Sequence, residues 1–164
     1  MSVLITGVAG FIGCNLAKDL ISKGKTVFGV DNFSRGSLNN IDALIKSKSF
    51  IFRELNLLDL NEFTKTAHDL HIEDPITEVS HLAANSDIPA GVSDANVDLH
   101  DTFMTTFNTL EVMKKIGIHV LYFSSSSAIY GDFGEQEIKE DVGPLMPISN
   151  YGAMKLASGA LISA

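Results

Sequence analysis

The chain has 164 residues, 45% of them hydrophobic and 20% charged, which is enough apolar side chain for one core and predicts a single domain. Twenty acidic against twelve basic side chains give a formal charge of −8, a field that repels nucleic-acid backbones and leaves any phosphate to a local device such as a helix N-terminus. The lone cysteine, Cys14, has no internal disulfide partner, no histidine stands at a zinc-ligand spacing from it, and no apolar run nears the roughly 18 residues of a membrane span. The expectation is a cytoplasmic protein with no metal, no membrane contact and no nucleic-acid partner.

Short apolar runs alternate with helical patterns, the sequence form of βαβ units. The first strand, Val3–Thr6, passes straight into Thr6-Gly7-Val8-Ala9-Gly10-Phe11-Ile12-Gly13, and a helix begins near Phe11. Glycines there permit a tight strand-to-helix turn, the approach of a pyrophosphate to bare backbone and close packing of helix on strand. The free N–H groups and positive dipole end at that helix start would neutralise the phosphates. The second strand, Thr26–Val30, leads into Asp31-Asn32, about 20 residues after the loop, where a carboxylate accepts hydrogen bonds from an adenosine ribose. An acid at that point disfavours a 2′-phosphate and favours NAD over NADP, although the guanidinium of Arg35 could pair with such a phosphate.

A helix beginning near Leu38, a strand at Phe50–Glu54 and a helix beginning near Leu60 follow, with Asp59 suited to cap the last. The strand Glu78–Leu82 ends in His81-Leu82-Ala83-Ala84, whose small side chains let backbone approach a cofactor; His81 itself reads as a hydrogen-bonded structural histidine. The longest helix starts near Asp94 and carries Leu99, Phe103, Phe107, Leu110 and Met113 as one apolar stripe, which either faces the core or forms a surface for a partner helix, core packing being favoured. The last strand, His119–Phe123, runs into Ser124-Ser125-Ser126-Ser127. A long segment without period, Gly131–Asn150, separates it from Tyr151-Gly152-Ala153-Met154-Lys155. Tyrosine and lysine one helical turn apart share a face, so an ammonium beside the phenol, with the positive nicotinamide of bound NAD⁺, would favour the phenolate.

The glycine spacing G-x-x-G-x-x-G at Gly7, Gly10 and Gly13, the serine-rich strand end, the Tyr151–Lys155 pair and the segment His81–Asp87 together resemble the extended short-chain dehydrogenase/reductase family, and within it the NAD-dependent sugar-nucleotide epimerases and dehydratases. The resemblance covers essentially the whole chain. It implies an α/β fold, a Rossmann-like doubly wound parallel sheet cut off after about five strands. Residues 1–164 would form an incomplete NAD-binding domain without the C-terminal substrate region. It assigns Ser126, Tyr151 and Lys155 to catalysis, with Ser126 placed by the family's spacing. To the cofactor it assigns Gly7, Gly10, Phe11, Ile12, Gly13, Asp31, Asn32, Asp59, Leu60, Leu82, Ala83, Ala84, Ser124, Tyr151 and Lys155, and Asp59-Leu60 is similar to its adenine contact. The implied reaction is a UDP-hexose 4-epimerase-like exchange of hydride at C4 of a nucleotide sugar. Dehydratases of the family place Asp and Glu where Ser127 and Ala128 stand, so elimination lacks its acid. A nucleotide-binding or interaction module without turnover, and a sugar-nucleotide dehydratase or reductase of the same family, are the alternatives. Thr102 occupies the place of the family's helix asparagine. Relatives pair two helices from each subunit. A homodimer is therefore expected through roughly Asp94–Gly117 and the helix beginning at Tyr151, where Leu156, Leu161 and Ile162 need cover.

Overall fold

A computed structural model describes residues 2–164. Five strands, β1 (Ser2–Thr6), β2 (Thr26–Asp31), β3 (Phe50–Glu54), β4 (Ile76–His81) and β5 (Leu121–Phe123), form one sheet in the order β3-β2-β1-β4-β5. Every pairing is parallel. Parallel neighbours need crossovers, and helices α1 (Phe11–Ser22), α2 (Leu38–Ile45), α3 (Leu60–Glu73) and α6 (Thr105–Ile116) supply them. The architecture is the doubly wound, Rossmann-like one, with its strand order reversing between β1 and β4.

The described chain divides into two compact units, one running to Ala83 and resuming over Asn108–Ser124, the other comprising Ala84–Phe107 and Ser125–Ala164. The first holds the sheet. Its strands read as apolar runs because both faces are covered: Leu4, Phe28 and Val79 meet Phe63, Leu70, Val112 and Met113 in one cluster, while Val3, Ile5 and Val27 meet Cys14, Ala17, Ile41 and Leu44 in another.

The second unit contains α4 (Ile88–Ser93), α5 (Ala95–Asp98), a π-helical turn over Leu99–Met104 that leads into α6, a 3₁₀ turn (Ser127–Ile129) and α7 (Asn150–Ser163). Asp87 caps α4 by accepting from Ala90 N–H, and Asp94 caps α5 by accepting from Asn96 N–H. The long helix expected near Asp94 thus starts where its cap predicts, but it is interrupted by a π turn that periodicity does not reveal.

That interruption overturns the core reading of the apolar stripe. Leu99 and Phe107 remain 38% and 37% exposed, Phe103 and Leu110 are half-buried, and only Met113 is buried. The buried face carries Asp98, Thr102, Thr105, Thr106, Asn108 and Thr109 instead. These hydroxyls can be buried because the helix itself satisfies them: Thr106 Oγ1 donates to the Thr102 carbonyl and Thr105 Oγ1 to that of Asp101.

Candidate active site and cofactor cradle

In the sheet-bearing unit, β1 ends at Thr6 and the chain turns through Gly7 at φ +72°, a conformation that suits glycine. A Cβ on Gly7 would come within 2.8 Å of the Ala83 nitrogen, and one on Gly13 would fall on the Gly7 carbonyl. The two glycines therefore let the loop lie against the end of β4 and let α1 lie against the loop. Gly10 is the N-cap of α1 and offers no side-chain cap, and the first helical bond is Cys14 N–H to the Gly10 carbonyl. The N–H groups of Phe11, Ile12 and Gly13 precede that bond, which is the arrangement that receives an anion.

Asp31 ends β2 and is 9% exposed. One carboxylate oxygen accepts from Ala9 N–H at 2.9 Å and the other from Phe33 N–H at 2.8 Å. The acid thereby ties the glycine loop to the Asn32–Arg35 loop, with Phe33 held at φ 55°. A carboxylate has about four acceptor sites, so both oxygens keep capacity for a further donor. Asn32 Oδ1 accepts from Ser34 N–H. Asp59 caps α3 through Glu62 N–H at 2.9 Å, and Leu60 opens that helix. Leu82 and Ala83 direct their N–H groups at Thr6 Oγ1. Thr6 Oγ1 also meets His81 Nδ1 at 2.7 Å; His81 is fully buried, lies 3.3 Å from Thr109 Oγ1 and stacks on Phe123. It is a structural histidine. Ser124 donates its N–H to the His81 carbonyl just after β5.

The other unit assembles Ser126, Tyr151 and Lys155. Ser126 caps the 3₁₀ turn, accepting from Ala128 N–H, and its side chain also hydrogen-bonds Tyr151. Ser149 caps α7 through Gly152 N–H at 3.0 Å, setting Tyr151 in the first turn. Gly152 is buried, and a Cβ there would fall on the Ala128 carbonyl, so α7 meets the 3₁₀ turn only because residue 152 is glycine. Lys155 is 2% exposed with its Nζ 5.9 Å from the Tyr151 ring centroid. Burial lowers its pKa to about 8. The pKa of the phenol is raised in the protein alone. Burial raises its pKa, the Ser126 hydrogen bond opposes that, and the charge of Asp98 adds to it. In the protein by itself desolvation outweighs the Ser126 hydrogen bond. Ala84, assigned to the cofactor, also belongs to this unit and is half-buried.

An open cleft of about 380 Å³ is lined by Val92, Pro147, Ile148, Ser149, Asn150 and Ala153, and none of the three proposed catalytic side chains faces it. Sequence reading missed a polar group in the same unit. Asp98 is 1% exposed and its Oδ1 accepts from Asn85 Nδ2 at 2.8 Å, while Asn85 N–H donates to Thr102 Oγ1. The missed signal was an acid one turn before Thr102 on the face that is buried. Thr102 thus takes part in a buried network although the family's asparagine is absent. Among the described residues, no cluster of three or more His, Cys, Asp or Glu is placed to hold a metal ion, and no helix is long and apolar enough to cross a membrane.

The model of the NAD dependent epimerase/dehydratase family matches residues 3–164. The chain belongs to that family. A UDP-glucuronate 4-epimerase from Thermodesulfobacterium geofontis is 32% identical over 157 residues, covering 93% of this chain and 47% of that protein. A UDP-glucose 4-epimerase from Bacillus subtilis is 31% identical, covering 95% of this chain and 45% of its own length. Among solved structures, the Thermus thermophilus UDP-glucose 4-epimerase in complex with NAD is 33% identical with a TM-score of 0.85, covering 99% of this chain and 50% of that one. The chain spans about half the length of the relatives it matches.

Proposed function

We propose that this chain carries the cofactor-binding and proton-transfer residues of an NAD-dependent sugar-nucleotide 4-epimerase, residues 1–164 being its NAD-binding domain. The observation that carries the reading is the Ser126–Tyr151–Lys155 assembly, a phenol hydrogen-bonded to a hydroxyl and one helical turn from a buried amine. The glycine cradle fits a dinucleotide: at Gly7 and Gly13 a Cβ would meet backbone, and α1 opens without a side-chain cap. The pyrophosphate is assigned to Gly7, Gly10, Phe11, Ile12 and Gly13. The ribose goes to Asp31 and Asn32, the adenine to Asp59 and Leu60, and the remaining contacts to Leu82, Ala83, Ala84, Ser124, Tyr151 and Lys155. NAD, when bound, supplies reversible acceptance of the sugar C4 hydride.

The chain's own side chains then have a proton to manage. Tyr151 Oη accepts the proton of the C4 hydroxyl as the C4–H bond breaks, and returns it when hydride is restored to the opposite face. Ser126 holds that sugar oxygen, and the Lys155 ammonium, where protonated, favours the phenolate. The 3₁₀ turn after Ser126 presents Ser127 and Ala128 and no acid in its first turn, which supports epimerisation over elimination of water. A nucleotide-sugar substrate, a homodimer and a cytoplasmic location complete the reading.

The test mixes the chain with NAD⁺ and a UDP-hexose and assays for the C4 epimer. Tyr151→Phe should lower kcat by at least about 10², the scale of a lost general acid–base group, with NAD affinity nearly unchanged. A chain that binds NAD and makes no epimer would instead be a binding module. A fully active Tyr151→Phe variant would remove the mechanism.

A further inference from the structure

Asn40 is a polar side chain of the sheet-bearing unit to which the proposed function gives no part. It stands in the first turn of α2, and although the residue is exposed its amide is committed to the glycine turn: Nδ2 donates to the Ala9 carbonyl at 2.7 Å. Ser37, the N-cap of α2, donates its N–H to the same carbonyl at 3.2 Å, so both lone pairs of that oxygen are used. At the other end of the residue, Ala9 N–H donates to Asp31 Oδ2 at 2.9 Å. The Ala9 side chain is fully buried, and Gly36 lies so close that a Cβ there would come within 2.8 Å of the Ala9 Cβ and 3.0 Å of Asp31 Oδ1. One residue of the turn is therefore gripped at its N–H, its carbonyl and its side chain by the segment 31–40.

The Ala9 carbonyl and the Gly10 N–H belong to one planar peptide, so whatever fixes the first fixes the second. Gly10 N–H donates to the Gly7 carbonyl at 3.2 Å, and Gly10 is the N-cap from which α1 starts. Were this peptide to rotate, its carbonyl would leave α2, and the direction in which α1 sets out would change with it. We propose that Asn40 is a positioning residue for the pyrophosphate: by anchoring the Ala9–Gly10 peptide to α2 it fixes the direction in which the open N–H groups of Phe11, Ile12 and Gly13 meet the anion. The role deepens the dinucleotide reading and rests on it. Because Asn40 is exposed, its replacement leaves the fold standing, and the effect is read at the ligand.

The test titrates the chain with NAD and, in parallel, with adenosine, which has the adenine and the ribose but no phosphate. Asn40→Ala should weaken NAD about tenfold, the scale of one lost hydrogen bond, and leave adenosine as it was. Asn40→Asp keeps the shape, removes the donor and sets a carboxylate against the Ala9 carbonyl, and should weaken NAD at least as much. An acid in the first turn suits the helix dipole, so that loss does not come from a weaker α2. Asn39→Ala, an exposed change in the same helical turn, should bind both ligands as the intact chain does. A readout without ligand is the exchange of Gly10 N–H with deuterated water followed by NMR, which should quicken in both Asn40 variants and keep its rate in Asn39→Ala. Unchanged NAD affinity in the Asn40 variants overturns the proposal, and so does an unchanged Gly10 exchange rate. An equal loss for adenosine, or the same loss in Asn39→Ala, overturns it too, since α2 was then merely loosened. An intact chain that fails to bind NAD refutes the dinucleotide reading itself, and with it this role, before any substitution is made.

Discussion

Asp31 and Lys155 show how a side chain that serves a ligand is first held by its own protein. The Asp31 carboxylate already accepts from two backbone N–H groups, so Asp31→Ala removes a tie between two loops as well as the assigned ribose acceptor. Titration should find the intact chain binding NAD more tightly than NADP, and Asp31→Ala narrowing the gap; equal affinities in the intact chain would sink the ribose assignment. Lys155 bears on stability. Its pKa falls from 10.5 in the open chain to about 8, so between those values the unfolded state binds more protons than the folded one and stability rises with pH. Below about 8 the folded state carries the full cost of the buried ammonium, of order 3 kcal/mol. Tyr151 has the opposite sign and acts only above 10.0, where the folded state retains the proton longer. Urea unfolding across this range should show stability climbing from about pH 8, and Lys155→Met should flatten the climb. An unchanged slope in the variant would assign the climb to another group.

Within α7, two glycines carry opposite requirements. Gly152 must lack a Cβ because the Ala128 carbonyl occupies its place, whereas nothing lies near a Cβ added at Gly159. Gly159→Ala should stabilise the chain by roughly 0.5–1 kcal/mol, the usual gain from restricting a helical glycine. Gly152→Ala should destabilise it by about 1–3 kcal/mol through overpacking and part Tyr151 from Ser126. Denaturant midpoints of the two variants check the contrast, and a shift of like sign in both would refute the close approach. The cap residues Asp59, Asp87, Asp94 and Ser149 show how locally such helices are set: each accepts from an N–H two or three residues on, a pattern legible in sequence. The short helix Ile88–Ser93 was nonetheless missed, because six residues around a proline give no measurable period.

For the molecule as a whole, the exposed stripe concerns association. Leu99 and Phe107 stand outward on the helix that packs against α7, while Leu156, Leu161 and Ile162 on α7 are only half-buried. An exposed apolar patch tends to mark an interaction surface, and a two-fold axis would bury both helices against their own copies. Sedimentation at micromolar concentration should find a dimer, and replacing Leu99 and Phe107 together by Glu should give a monomer. A strictly monomeric, concentration-independent species in the unmodified chain would reject the dimer.

Sequence alone determined the features set by short-range stereochemistry and by period. The parallel sheet followed from apolar runs alternating with helices, the glycine turn from the need for positive φ at Gly7, and the Tyr151–Lys155 pair from the pitch of a helix. Only the tertiary structure decided which face of the long helix is buried. A π turn over Leu99–Met104 shifts the phase of the helix, and threonine hydroxyls bonded to helix carbonyls can be buried where the pattern assigned leucine and phenylalanine. The setting of Tyr151 was decided there too. Its proton affinity depends first on burial, which packing sets and no local pattern records.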